Sequence, residues 1–252
     1  MTLQEIIDTV RRRLGDYEKP YDWTDQELVD YANDIENIIC REARVLIDPY
    51  TSAICSFYTV AEQFDYALSA LIIEILNAKI VRANSESLLT KYTAAELYGI
   101  SESWRTSSTA VTYTHDEDDN VSFYPPGSYG EELSYAEEPT KYCLDYRNGY
   151  ITLYPAPDDV YAIQLSVIRY PLTALTTTSM SSQTPEIDGK YHHALIAGMC
   201  YHAYMKTGIE TYNEKKSAMY YNQLYKYLSD MKSQKIFYEH TSRRAGPHLG
   251  CI

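Results

Sequence analysis

The chain has 252 residues, 45% of them hydrophobic, and a formal net charge of −13. That length holds one large domain or two small ones around a real core, and the acidity disfavours wrapping nucleic acid by neutralising phosphates. The longest apolar run, near Ala67 to Leu76, is interrupted by Glu74 and too short to span a bilayer, while Met1 leads straight into a polar amphipathic pattern where no signal peptide is expected.

Three segments open with the same helix-start signal. Thr2 with Glu5, Thr24 with Glu27 and Thr211 with Glu214 each have the capping-box spacing, in which the hydroxyl accepts from the first turn and the carboxylate reaches back. The first helix carries Leu3, Ile6, Ile7, Val10 and Leu14 on one face and stops at Gly15. The second carries Leu28, Ala32, Ile35, Ile39, Ala43 and Leu46, with Asp48-Pro49 as its expected stop. Residues 51–60, with Ile54, Phe57, Tyr58 and Val60, read as a strand. Residues 67–81 fit a buried strand pair or a helix, and the strand reading is preferred. A short helix is expected near Thr93 to Tyr98.

Period two takes over in mid-chain. Tyr142, Leu144 and Tyr146 alternate up to Asn148-Gly149, a type I′ hairpin signal, and Tyr150 to Tyr154 follow. Ile163, Leu165 and Val167 form a further strand, with Pro155 and Pro157 breaking the chain before it. A third long helix is expected from Pro185-Glu186, with Tyr191, Leu195, Met199 and His202 on one stripe. A fourth carries Tyr220, Leu224, Tyr227, Leu228 and Met231. The second and fourth helices should run about 20 residues, or about 30 Å.

Each apolar stripe needs a partner. The fold class is therefore α+β: a four-helix bundle core, an inserted antiparallel β domain and an extended C-terminal arm. The expected divisions are 1–50 for the first half of the bundle, 51–172 for the β insertion with its long acidic loop, 173–235 for the second half, and 236–252 for the arm. The insertion is the acidic part: from Thr112 to Val160 eleven acids face only Lys141 and Arg147. Residues 105–139 lack periodicity, a length of loop that is functional or disordered. The segment after Ile236 shows no helical period and suits an arm that orders on a partner.

Chemistry is hard to find. No nucleophile elbow, phosphate-binding loop, dinucleotide fingerprint or HExxH occurs. Asp116, Asp118 and Asn120 imitate the start of a calcium loop, but Val121 and Gly127 stand where that loop needs Gly and Glu. His192, His193, Cys200 and His202 share a helix without the i, i+4 spacing that zinc prefers. Cys40, Cys55, Cys143, Cys200 and Cys251 are scattered, so free thiols made in a reducing cytoplasm are expected, with no disulfide framework. Arg11, Arg12 and Arg13 fan around a helix and suit its C-terminal dipole better than a DNA contact. No catalytic, metal or cofactor-binding residue is assigned. Tyrosine is abundant, 27 against 4 phenylalanines, and an apolar ring with a polar tip suits surfaces buried against other chains.

Three stretches carry a resemblance. They are Leu14-Gly-Asp16 with Trp23-Thr-Asp-Gln-Glu-Leu28, Tyr31-Ala-Asn33 and Cys40-Arg41; Asn148-Gly-Tyr-Ile-Thr-Leu-Tyr-Pro-Ala-Pro157 with Arg169-Tyr-Pro171; and Pro185-Glu-Ile-Asp-Gly-Lys-Tyr-His-His-Ala-Leu195 with Ala203-Tyr204. In order and spacing they cover about half the chain, and the arrangement resembles the head-to-tail adaptor proteins of short-tailed bacteriophages. The resemblance implies a structural virion protein made in the host cytoplasm, not an enzyme. It implies a homo-oligomeric ring, of twelve subunits, that joins the portal protein to further tail or ring proteins. Double-stranded DNA would pass through the lumen without specific binding, and no membrane or cofactor is involved. Carried over by position, Arg243, Arg244, His248, Leu249 and Ile252 of the arm are the portal-contact residues. An acidic lumen would repel phosphates and let DNA slide. The competing readings are a virion-associated cell-wall hydrolase using paired carboxylates and a binding module that acts as a monomer.

Overall fold

The computed structural model describes residues 1–100, 112–115, 121–124, 136–207 and 211–244, with backbone alone for 112–115, 121–124 and 235–244. In chain order it contains helices α1 (Leu3–Leu14) and α2 (Asp25–Ala43), strand β1 (Ile47–Asp48), helix α3 (Ser52–Cys55) and strands β2 (Ser56–Tyr58), β3 (Asp65–Ala67), β4 (Ile72–Val81), β5 (Glu86–Leu88) and β6 (Thr90–Lys91). Helix α4 (Ala94–Ile100) precedes strands β7 (Thr112–His115), β8 (Val121–Tyr124), β9 (Lys141–Cys143), β10 (Tyr150–Tyr154) and β11 (Ala162–Arg169). Helices α5 (His192–Met205) and α6 (Glu214–Arg244) follow. The fold class is α+β. The chain divides into two compact units, Met1–Ile47 with Ile168–Ile252, and Asp48–Val167.

In the first unit α5 is the central helix, packed by α1, α2 and α6. Its seven residues Ala194 to Cys200 are all buried, so it is covered on every side and shows no single apolar stripe. Both expected capping boxes form at α1 and α2: Thr2 and Thr24 accept from Glu5 and Glu27 backbone N–H groups, and each Glu accepts from its cap. Gly15 ends α1 in the left-handed region at φ 82°. Helix α2 stops earlier than Asp48-Pro49, because Arg44 turns left-handed at φ 54° and its N–H donates to the Cys40 carbonyl at 3.0 Å.

The late helices correct three expectations. No helix starts at Pro185. The N–H groups of Glu186 and Ile187 donate to the Glu36 side chain, which holds that stretch off helical geometry. Asp188 then caps a single 3₁₀ turn, Gly189–Tyr191, and α5 begins at His192. The box at Thr211 does not form either. Asn213 accepts from the Lys216 N–H at 3.0 Å, while the Thr211 hydroxyl donates to the Lys206 carbonyl. Finally, α6 runs 31 residues, about 46 Å. Residues 236–244 are therefore helical, and an extended arm does not begin at 236.

The second unit holds two sheets. One has the order β1-β11-β4-β5 with β2 also pairing β11; the other has the order β3-β10-β9-β6. A separate ribbon pairs β7 with β8, and β6 runs parallel to β9, so the insertion is not the purely antiparallel one expected. Inward side chains of both larger sheets, including Tyr66, Ile80, Ile151, Leu153, Ile163, Leu165 and Val167, form one core. Leu97 of α4 packs with Cys143, Tyr92 and Tyr154. Within residues 67–81 the strand reading holds for Ala67, the end of β3, and for Ile72–Val81, with a turn between them where the Ile72 N–H donates to the Ser69 carbonyl.

Two local expectations differ here. Residues 51–60 open with the helical turn α3, because the Asp48 carboxylate accepts from the N–H groups of Tyr50 and Thr51 and from the Thr51 hydroxyl. The Asn148-Gly149 turn is not a two-residue type I′ hairpin. Pairing stops at Cys143↔Thr152, and only Gly149 has positive φ. A type I′ turn needs both central residues there.

Candidate functional site

The expected site residues fall at the end of α6 and beyond. Arg243 and Arg244 occupy its last turn by backbone. His248, Leu249 and Ile252 lie outside the described residues, as do the acids Asp116 to Asp119. The histidines do not gather. His192 is buried at the start of α5 with Nε2 3.3 Å from the Ile187 carbonyl, and burial pushes its pKa down. His202 is stacked on Tyr31 at 5.6 Å between centroids. Among the described residues no group of three His, Cys, Asp or Glu side chains is placed to hold a metal ion. Cys40, Cys55, Cys143 and Cys200 are buried thiols outside any disulfide, and burial pushes the thiols of Cys40 and Cys200 up to about 12.

Buried charge in the first unit is structural. Arg11 lies under the surface, bonded to Asp16 and, at 2.7 Å, to Asp25, with its guanidinium 3.8 Å from the centroid of Tyr21. The residue adds a cross-link between α1 and the start of α2 to its place in the last turn. A second cluster joins α2 to the 169–187 segment. Glu36, 1% exposed, accepts from the N–H of Glu186 at 2.7 Å and of Ile187 at 3.2 Å. Arg169 bonds the Glu186 carboxylate, which also accepts from the Leu172 N–H at 2.7 Å. Burial holds the Glu36 carboxyl above its ordinary range, the two N–H donors oppose this, and the Glu186 charge adds to it. These groups fix backbone.

Among the described residues a groove runs along α2, α5 and α6, with a cavity of about 480 Å³. Helix α2 lines it with Ile35 and Ile38, and α5 with Tyr201 and His202. Helix α6 contributes Tyr221, Leu224, Tyr225 and Leu228, spaced as one helical face. The aromatic walls adjoin one another: Tyr201 lies 5.2 Å from His202 and 5.4 Å from Tyr221. Burial pushes the His202 pKa down, against the Asp34 charge. One end is closed by Lys232 donating to Glu42 at 3.0 Å, with Arg41 alongside. Tyr225 is 66% exposed and Tyr221 49%. The signal for it in the sequence is Tyr221, Tyr225 and Leu228 at i, i+4 and i+7, whereas the expected stripe takes Leu224 and Leu228 as core.

A groove lined largely by tyrosine, leucine and isoleucine is suited to receiving another apolar surface. No helix among the described residues is long and apolar enough to cross a membrane. The family model described as SU10 adaptor protein matches residues 1–248. No curated protein matches the chain.

Proposed function

The chain belongs to the SU10 adaptor protein family, a structural component of the phage virion, and we propose that it forms the ring joining the portal to the tail. The family match across residues 1–248 carries this reading. In it, α1, α2, α5 and α6 act as a four-helix bundle core, and twelve copies assemble around the channel. The ring extends the DNA path, seals the filled head and presents a platform to the next tail protein. The acidity of the chain supports a wall that DNA passes without sticking, since like charge disfavours phosphate contact.

The portal-binding part is the end of the chain. Arg243 and Arg244 close α6, where cations suit the helix dipole, and His248, Leu249 and Ile252 follow. Contact with the portal supplies the assembly signal, so that copies do not close into rings beforehand. The test is removal of residues 245–252, which leaves every described element in place. The truncated protein should keep its circular dichroism and thermal midpoint and lose portal binding in sedimentation. Full portal affinity in the truncated chain would refute the assignment.

A further inference from the structure

We propose that the outer face of β2 and β11, centred on Tyr58, Val60 and Val160, is the surface that takes the next tail protein, and that this partner presents an apolar centre within a basic rim; the proposal rests on the ring reading. Alternation along the two strands builds the face. Phe57 packs into the core of the second unit with Tyr66, Thr59 is buried, and Tyr161 and Ile163 belong to the same core. The residues between them therefore point outward. Tyr58 is paired with Ala162, and Thr59 extends the pairing: its N–H donates to the Tyr161 carbonyl and its hydroxyl to the Asp159 carbonyl, both at 2.9 Å. Val60 and Val160 come next on the same outer side. Tyr58 is 72% exposed, Val160 62% and Val60 55%. Gln164, one step along β11, donates to the Pro49 carbonyl at 2.8 Å, so the turn bearing the exposed Tyr50 adjoins the patch. A single exposed valine means little, but four large apolar side chains gathered on strands whose inner face is already packed mark a contact surface.

The rim of the patch chooses the occupant. Asp158 and Asp159 lead into Val160, and Glu62, two residues after Val60, donates its N–H to the Pro157 carbonyl at 2.7 Å, so three exposed carboxylates border the patch. Among the described residues none of the three enters an ion pair. The Tyr161 hydroxyl registers them: its bond to Asp158 and burial, then the charges of Asp158, Glu138 and Asp159, push it up to about 12. Residues 48–167 hold eighteen acids against six Lys or Arg, and so carry −12 of the chain's −13. DNA is repelled from such a face, and so is the same face of a second copy. A basic protein surface with an apolar centre gains from both the rim and the patch. The portal is assigned to the cations that end α6, so the acidic patch serves the partner on the tail side. One such patch is small against a stable interface. A ring of copies multiplies it, so the tail protein joins the assembled ring and not the free chain.

The test is made in phage particles, at exposed positions where a change leaves the core untouched. Tyr58→Ser with Val160→Ser, and separately Asp158→Lys with Asp159→Lys, should leave filled heads capped by the ring and lower the fraction with density below the ring about tenfold or more in electron micrographs. Asp158→Asn with Asp159→Asn should fall between wild type and the lysine pair. In parallel, benzoylphenylalanine at position 58 of the otherwise wild-type chain, irradiated in complete particles, should cross-link to a tail-side virion protein through a segment rich in Lys or Arg, read by mass spectrometry. Complete tails on the serine or lysine variants overturn this inference and leave the ring reading standing. Rings lost from a variant that keeps its circular dichroism, or position 58 cross-linked to the portal or to a second copy, overturn it as well. Wild-type particles without any ring remove the inference and the ring reading together.

Discussion

Gly198, at the middle of α5, is the position where the packing of the first unit leaves least room. A Cβ built there would lie 2.6, 2.7 and 2.8 Å from three side-chain carbons of Ile35 on α2. Ile35 is fully buried and branched at Cβ, so it has no open rotamer to retreat into. In an exposed helix, Gly→Ala stabilises by about 1 kcal/mol. Here an overpacking cost at the upper end of the usual range, about 3 kcal/mol, opposes that gain, so Gly198→Ala should lose about 2 kcal/mol. The partner substitution makes the reasoning specific. Ile35→Ala removes all three clashing carbons and alone costs about 2–5 kcal/mol. In that background Gly198→Ala should turn from destabilising to stabilising by about 1 kcal/mol, a coupling of about 3 kcal/mol. Urea denaturation followed by helical circular dichroism measures each corner of the cycle. A Gly198→Ala protein as stable as wild type, or a cycle with no coupling, would refute the α2–α5 contact.

Three further outcomes are expected. Asn213→Ala should destabilise by about 1 kcal/mol because it removes the acceptor for the Lys216 N–H at the start of α6, and Thr211→Ala should cost less; the reverse order in thermal melts would restore the Thr211 box. The Glu36 carboxyl is raised in the folded chain, so the native state keeps a proton the unfolded chain has released, and that contribution to stability is lost as pH rises from the ordinary carboxylate range through the raised value. Glu36→Gln should accordingly gain stability relative to wild type across that rise and run parallel above it, and a pH-independent difference in denaturation midpoints would contradict the burial argument. With their thiols pushed up to about 12, Cys40 and Cys200 should resist alkylation at pH 8 in the native chain and react at ordinary rates once it is unfolded; rapid native labelling at either, read by mass spectrometry, would mean the helices around α5 open readily.

Local rules carried the reading where the partner of a group lies within a few residues. The boxes at Thr2 and Thr24, the stop at Gly15 and the strands at Ile72–Val81 and Ala162–Arg169 all follow from such neighbours. The start of α5 was hidden because the group that unwinds Glu186 is Glu36, 150 residues away. The turn at Ser52 to Cys55 was hidden by apolar residues that fit a strand equally well, although Asp48 and Thr51 carry its signal. The length of α6 was underestimated because Ile236, Phe237 and Tyr238 have modest helix propensity, yet no strong breaker follows until Gly246-Pro247. The groove was missed for a different reason. The stripe expected on α6 takes Tyr220, Leu224, Tyr227, Leu228 and Met231 and leaves out Tyr221 and Tyr225, and only the packing of α2 and α5 against α6 shows that these two line a groove.

The central claim is that this chain adds a ring beneath the portal. Electron microscopy of the purified full-length protein mixed with the portal of the same phage tests it directly. The account predicts a co-axial ring bound to one face of the portal, with the end of α6 directed toward it. A protein that stays monomeric and leaves the portal bare would contradict it.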